Sequence, residues 1–264
     1  MDDRPISPAL KVMALVMFLF LLAPLIVVVP ISFSGDSYMM FPPTSWSTKW
    51  YGAIFRDGKM TSAFWTSLLL AATVTALSLV ISLPAAYVLV RLKPRGAELL
   101  SSLFTAPLLL PTIVLGLAIL IVFANYGLLA TFRGLVAAHM VVTLPYAVRV
   151  LSTALATLPI AAEEAAATLG ASPLTVFRRI TLPTMRSGII GTTALCFLVS
   201  FDEVVISLFM TGPRIQTLPV AMFHHVEQQA DPLVASLSVL LVVFTLIVVL
   251  VVDRTSGLAK TFVK

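Results

Sequence analysis

Six apolar runs, each about as long as a bilayer crossing, constrain this chain more than any other feature of its sequence. They cover residues 12–31, 62–90, 99–123, 135–155, 188–210 and 233–252. A helix needs about 20 apolar residues to cross a hydrocarbon core roughly 30 Å thick, and each run supplies them. Backbone groups in lipid must be satisfied within their own segment, and runs this long without alternation predict helices rather than barrel strands. The composition agrees: 59% of the 264 residues are hydrophobic and 11% are charged, against about half and about a quarter in soluble domains. The expected fold is all-α, a polytopic integral membrane protein with six transmembrane helices. Residues 12–31 are too long a run for a cleavable signal peptide, and no small-x-small cleavage pattern follows them, so they read as an uncleaved anchor. Cys196 is the only cysteine, which excludes an intrachain disulfide.

Lysine and arginine set the expected orientation. Eleven lie on the side that holds both termini: Arg4, Lys11, Arg91, Lys93, Arg95, Arg178, Arg179, Arg186, Arg254, Lys260 and Lys264. Five lie opposite (Lys49, Arg56, Lys59, Arg133 and Arg214), and Arg149 falls inside the fourth run. The positive-inside rule then places N and C termini in the cytoplasm. The net charge of +5 needs no nucleic acid to explain it, because basic residues at span ends meet anionic lipid headgroups. In the outer loop, Trp46, Trp50, Tyr51 and Trp65 suit the membrane interface.

Between the fourth and fifth runs lies a connection of unusual length, residues 156–187. An alanine-rich helix is expected over 160–169, with Glu163 and Glu164 in its first turn, where carboxylates favour the positive end of the helix dipole. Gly170 stands where a left-handed cap would end it. Ser172 before Pro173 pairs a capping hydroxyl with a proline at the first helical position, opening a second helix that runs to about Ile180 and is closed by Leu182 and Pro183. Leu174, Phe177 and Arg178 share one face of it. Such a helix either lies on the membrane surface or fills a groove in a partner.

Glu164, Ala165, Ala166, Gly170, Ile180, Leu182 and Pro183 reproduce, in order and spacing, the EAA signature. The loop resembles the ATPase-docking loop of the permease subunits of type I ABC importers. The stretches PAAYVLVR, PLLLPTIVLG, HMVVTLPYAVR, SFDEVVISLFMTGP and TLPVAMF are similar to the spermidine/putrescine branch of that family. The resemblance implies one permease domain over 1–264. An N-terminal span and outer loop (1–61) precede a five-helix core (62–252) that contains the loop, and a short cytoplasmic tail (253–264) follows. It implies a second permease subunit, an ATPase dimer beneath, a periplasmic or extracellular substrate-binding protein, a small cationic substrate, and a bacterial inner membrane as the site of action. The expected docking residues are Glu163, Glu164, Ala165, Ala166, Gly170, Ser172, Pro173, Leu174, Phe177, Arg178, Ile180, Leu182 and Pro183. The surface itself narrows to the 172–180 helix, braced by the alanine-rich one. This chain is expected to hold no cofactor; ATP and Mg belong to the partner ATPase. Gly58-Lys59 lacks the earlier glycine of a P-loop and has Met60 where Ser or Thr is needed. ATP binding would close the partner dimer, pull the docked helix and rock the spans between inward-open and outward-open states.

Asp202 and Glu203 are adjacent acids within a span, where a carboxylate costs at least about 2.5 kcal/mol unless it faces water or a partner. At helical spacing Gly188, Thr192, Cys196, Ser200, Glu203 and Ser207 form a small, polar stripe suited to a pathway. Asp202 would fall about 100° away, among Leu195, Leu198, Ile206 and Phe209, and need a specific partner, with Arg149 a candidate at a different depth. The expected pathway residues are Ser200, Asp202, Glu203 and Ser207; interhelical hydrogen bonding is the alternative role. His224 and His225, near Glu227 and Asp231, suit a gate or a contact with the binding protein better than a metal, since adjacent histidines do not share a helical face. His139 reads as packed and hydrogen-bonded. Pro107 and Pro111 predict either a kink or a broken helix in the third span. An intramembrane hydrolase would need paired catalytic groups, and neither H-E-x-x-H nor G-x-S-x-G occurs. A passive channel is the nearer rival, and strict ATP dependence of uptake separates it from an importer.

Overall fold

Prolines and paired acids decide where the long helices stop. The computed structural model describes residues 7–256; Arg4, Lys260, Lys264 and the end of the tail lie outside the described residues. Among the described residues the chain is helical, with two isolated bridges, Ser34 to Trp46 and Gly212 to Ile215. It forms two compact units, one from residues up to Thr61 with Met222–Phe244, the other from Ser62–Ala221 with the residues from Thr245 on.

In the first unit, α1 (Pro8–Ser32) starts where Ser7 accepts the Leu10 N–H and Pro8 occupies the first position. Its side chains face outward almost throughout, as an apolar helix in lipid can. The loop to α2 (Lys49–Arg56) is closed by the Gly35 N–H donating to Ser45 at 2.8 Å and the Ser47 N–H donating to Phe33 at 2.7 Å. Asp36 gathers the Thr44 N–H and the hydroxyls of Thr44, Ser34 and Ser45. Trp46 is exposed. Tyr51 has a further role: its hydroxyl bonds Ser32 at 2.8 Å and its ring lies 5.3 Å from Phe33.

The second span is α3 (Gly58–Tyr87), continued by a five-residue π turn, Val88–Leu92, that ends at Lys93 in the left-handed conformation. The third span, expected as one helix over 99–123, is broken. α4 (Ala97–Thr105) and a 3₁₀ turn (Ala106–Leu109) meet α5 (Thr112–Asn125) at 102°. Leu110, forced out of the helical region by the proline after it, is extended at ψ 140°. The fourth span is α6 (Phe132–Ala156), with Thr131 accepting the Gly134 N–H at its start. α7 (Ala161–Thr168), α8 (Pro173–Val176), a π turn (Phe177–Thr181) and α9 (Leu182–Thr184) form the long connection.

The fifth span, expected as one helix over 188–210, is also divided, into α10 (Arg186–Phe201) and α11 (Val205–Met210). Sixteen residues of α10 reach about 24 Å, short of a roughly 30 Å core, so a crossing here would include the break and α11. α12 (Leu218–Gln228) and α13 (Leu233–Ser256) follow. Four helices are long and apolar enough to span a membrane, up to six if each of two bent pairs counts once, the second pair being Pro173–Thr184 with α10 at 72°.

Two clusters hold the second unit together. Leu70, Val74, Ile119, Leu135, Ala138, Ile206 and Met210 join α3, α5, α6 and α11. Gly116 makes that approach possible, because a Cβ there would meet the Phe209 ring at 2.5 Å. Ala86, Leu151, Leu155 and Met185 close α3 and α6 against the end of the connection.

Candidate functional site

The 156–187 connection folds by local chemistry. At the end of α7 the Gly170 N–H bonds the Ala167 carbonyl at 3.0 Å and the Ala171 N–H bonds Ala166 at 3.1 Å, the paired bonds of a left-handed cap, with Gly170 at φ +86°. Ser172 accepts the Thr175 N–H at 3.3 Å and Pro173 starts α8. The second helix does not close at Leu182 and Pro183 as expected; it continues to Thr184. The π turn before Pro183 shifts the bonding so that the Leu182 N–H reaches Phe177, and the proline, with no N–H, enters the next turn without stopping it.

Two expected docking residues face inward. Glu163 is buried, both carboxylate oxygens lying 3.2 Å from Nε of Arg91, whose guanidinium also donates to the Leu158 carbonyl at 3.1 Å. Phe177 is partly buried, its ring edge-on to Tyr87 at 5.1 Å. Ile180 and Leu182 are half-buried, and Ala166 likewise. The outward surface consists of Glu164, Ala165, Gly170, Ser172, Pro173, Leu174, Arg178 and Pro183. Leu174, Thr175, Arg178 and Arg179 line an open hollow of about 460 Å³ there. Leu169, at the end of α7, is 89% exposed. The sequence offered its position at a helix end but no sign of its exposure.

The break in the fifth span rearranges the expected pathway residues. Thr192, Cys196 and Ser200 are buried, and Gly188 sits so close to Ala154 that a Cβ would meet it at 2.6 Å, so the small, polar stripe packs on α6 rather than lining a path. Ser200 and Ser207 are the two hydroxyls that His139 holds, Nδ1 to Ser200 and Nε2 to Ser207, each at 3.0 Å. One buried imidazole thus ties the end of α10 to α11 across the break. Glu203 leaves the stripe because the helix stops at Phe201; from the position before the α11 N-cap residue Val204, its Oε1 accepts the first-turn Ile206 N–H at 3.0 Å. Asp202 is exposed beside it rather than paired, and Arg149 is exposed on α6. Among the described residues neither acid of the break makes an ion pair. The two adjacent histidines of α12 take different acids: His224 lies 3.3 Å from Glu227, and His225 lies 3.0 Å from Asp231, which also caps α13 through the Leu233 N–H.

Residues 78–258 match the family described as binding-protein-dependent transport system inner membrane component. The chain is 36% identical over 254 residues to the putrescine transport system permease protein PotI of Escherichia coli K12, covering 91% of this chain and 89% of that one. It is 28% identical over 248 residues to the spermidine/putrescine transport system permease protein PotC of the same organism, covering 91% and 92%. It is 34% identical over 221 residues to the molybdenum transport system permease protein ModB of Mycobacterium bovis, covering 78% and 82%. In solved structures the fold recurs in a bacterial ABC transporter that imports alginate, with a TM-score of 0.73 at 16% identity over 96% of this chain and 99% of that one. It recurs in the MetNI methionine ABC transporter with a TM-score of 0.62 at 18% identity, over 75% and 94%. With its apolar helices and a family match over well over half its length, this chain belongs to the inner-membrane components of binding-protein-dependent transport systems, as a multi-pass ABC importer permease subunit of the bacterial inner membrane.

Proposed function

We propose that this permease subunit forms half of a translocation pathway for a small cationic amine of the spermidine or putrescine type, with Asp202 and Glu203 receiving its ammonium groups. The observation that carries the reading is the break itself. It sets an exposed carboxylate and a half-exposed one side by side in a run, 188–210, otherwise free of charge, and among the described residues no cation pairs with them. Acids in a membrane need water, a partner or cargo, and a diamine supplies charge of the right sign. The putrescine and spermidine/putrescine names of two relatives support the same class. The molybdenum relative favours an inorganic cargo instead, but a molybdenum oxyanion would meet two like charges at this break.

In this reading the termini are cytoplasmic and a second permease subunit completes the pathway. A periplasmic binding protein delivers substrate, and a separate ATPase dimer binds ATP and Mg²⁺. The ATPase meets the outward surface around Leu174 and Arg178, whose apolar and basic character suits a groove in a partner. ATP-driven closure of that dimer moves the docked helix and tips the spans between two states that differ in which side the break faces.

The test is uptake into proteoliposomes holding the full complex. Glu203→Gln and Asp202→Asn should each raise the KM for putrescine several-fold, with assembly unchanged, and molybdate should neither be taken up nor stimulate ATP hydrolysis. Wild-type putrescine uptake in both variants would remove the acids from the pathway, and uptake without ATP would make the protein a channel.

A further inference from the structure

We propose that Arg91 is a positioning residue for energy coupling. With Glu163 and Tyr87 it forms the joint through which the 156–187 loop moves the second span, an inference that rests on that loop being the ATPase-docking element. One turn of the second span receives the loop at three successive points. The Arg91 guanidinium holds the Leu158 carbonyl at the loop's start and the Glu163 carboxylate on α7, and Tyr87, four residues earlier, holds the Phe177 ring on the second helix. The side chains of Arg91 and Glu163 are 9% and 10% exposed, so water does not loosen the pair.

Stability alone does not account for an ion pair here, because a buried pair is often matched or exceeded by apolar residues of similar size. Direction does account for it. A planar guanidinium bonded to a carboxylate and a carbonyl together fixes the angle between α7 and the second span, which an aliphatic contact would leave free to slide. Both sides of the joint are π turns, Val88–Leu92 and Phe177–Thr181, a geometry often found where helices do functional work. Next to the joint, Ala86, Leu151, Leu155 and Met185 are fully or almost fully buried. A displacement of the second helix is therefore passed to the span rather than absorbed in loose packing.

The experiment uses the complete complex in proteoliposomes and measures ATP hydrolysed and putrescine taken up in the same vesicles. Glu163→Gln and Arg91→Gln should leave the ATPase subunits bound while uptake per ATP falls roughly tenfold. Glu163→Asp and Arg91→Lys keep both charges but lose the reach or the planar fork, so each should lie between the wild type and the glutamine variants. Wild-type uptake per ATP in the glutamine variants would overturn the proposal. Should a glutamine variant fail to assemble, the conservative pair decides: lowered uptake per ATP with the ATPase still bound supports the joint, and wild-type uptake per ATP in both overturns it. Leu174→Glu keeps the underlying reading separate, since an ATPase that stays bound to that variant would remove the docking assignment itself, whatever the Arg91 series shows.

Discussion

Gly170 holds φ at +86°, and no atom outside its own neighbours lies within 4 Å of where a Cβ would stand. Substitution there is consequently a matter of backbone strain alone. Gly170→Ala should cost about 1–2 kcal/mol from the left-handed conformation. Hydrogen exchange over residues 161–176 should register it as faster exchange of the Gly170 and Ala171 N–H groups. Gly170→Pro should act more severely, removing the N–H that bonds Ala167 as well. Asp36, in the loop between α1 and α2, makes a pH prediction. The hydroxyl and N–H of Thr44, aided by Ser34 and Ser45, hold its carboxyl well below the usual carboxylate range. A depressed folded pKa gives a stabilisation fully present above the unfolded value, near about 4, and lost as pH falls through the folded one. Exchange protection of the Gly35 and Ser47 N–H groups should therefore stay level from neutral pH to about pH 5 and fall only below about pH 4. Asp36→Asn should abolish that acid limb. The caps at Gly170 and Ser172 were legible in sequence because a cap is a transaction among residues three to five apart. Arg91 with Glu163, and His139 with Ser200 and Ser207, were not, since each pair joins helices whose adjacency and depth no local pattern states.

At the scale of elements, the two broken spans differ in how they announce themselves. Pro111 marks the third break openly, by restricting Leu110 and withholding an N–H. The fifth break has neither proline nor glycine, and period-3.6 reasoning carried straight through it, placing Glu203 and Ser207 on one continuous stripe. The break arises where two adjacent acids would otherwise stand in apolar surroundings. The helix ends at Phe201, and Glu203 turns to the Ile206 N–H in the first turn of α11, an N–H with no partner inside the helix. Charge and hydrogen bond are separable. Glu203→Gln keeps a side-chain oxygen for the Ile206 N–H, whereas Glu203→Ala leaves that N–H without it. The alanine variant should lose about 1 kcal/mol more stability than the glutamine variant in thermal unfolding of the detergent-solubilised complex. Both should lose the same substrate affinity if charge alone serves the cation. Equal thermal stability would show that Glu203 does not hold the Ile206 N–H.

For the whole molecule, the decisive surface is the one the chain leaves uncovered on the 156–187 connection. Leu169 and Leu174 are 89% and 64% exposed there, with Arg178 and Arg179 beside Leu174 around the open hollow. Exposed leucines on a capped, well-braced loop are unfavourable in water unless something covers them, which is why the docking proposal is tested on this surface. Leu174 is the better probe of the two. It lies inside α8, after the Ser172 cap and Pro173, and its side chain is mostly exposed. Leu174→Glu should therefore leave the fold of the chain intact, which proteolysis of the purified subunit will check. It sets an unpaired carboxylate where the partner's apolar groove is expected. A buried apolar anchor at the centre of an interface is worth about 2 kcal/mol or more, so the ATPase should bind this variant more weakly by a factor of about 30 or more. Co-purification of the ATPase should fall accordingly, and putrescine uptake should fall with it. A second variant, Leu174→Met, preserves apolar volume and should retain both. If Leu174→Glu kept the ATPase bound and uptake unchanged, the energy input would have to enter the membrane helices elsewhere than this loop.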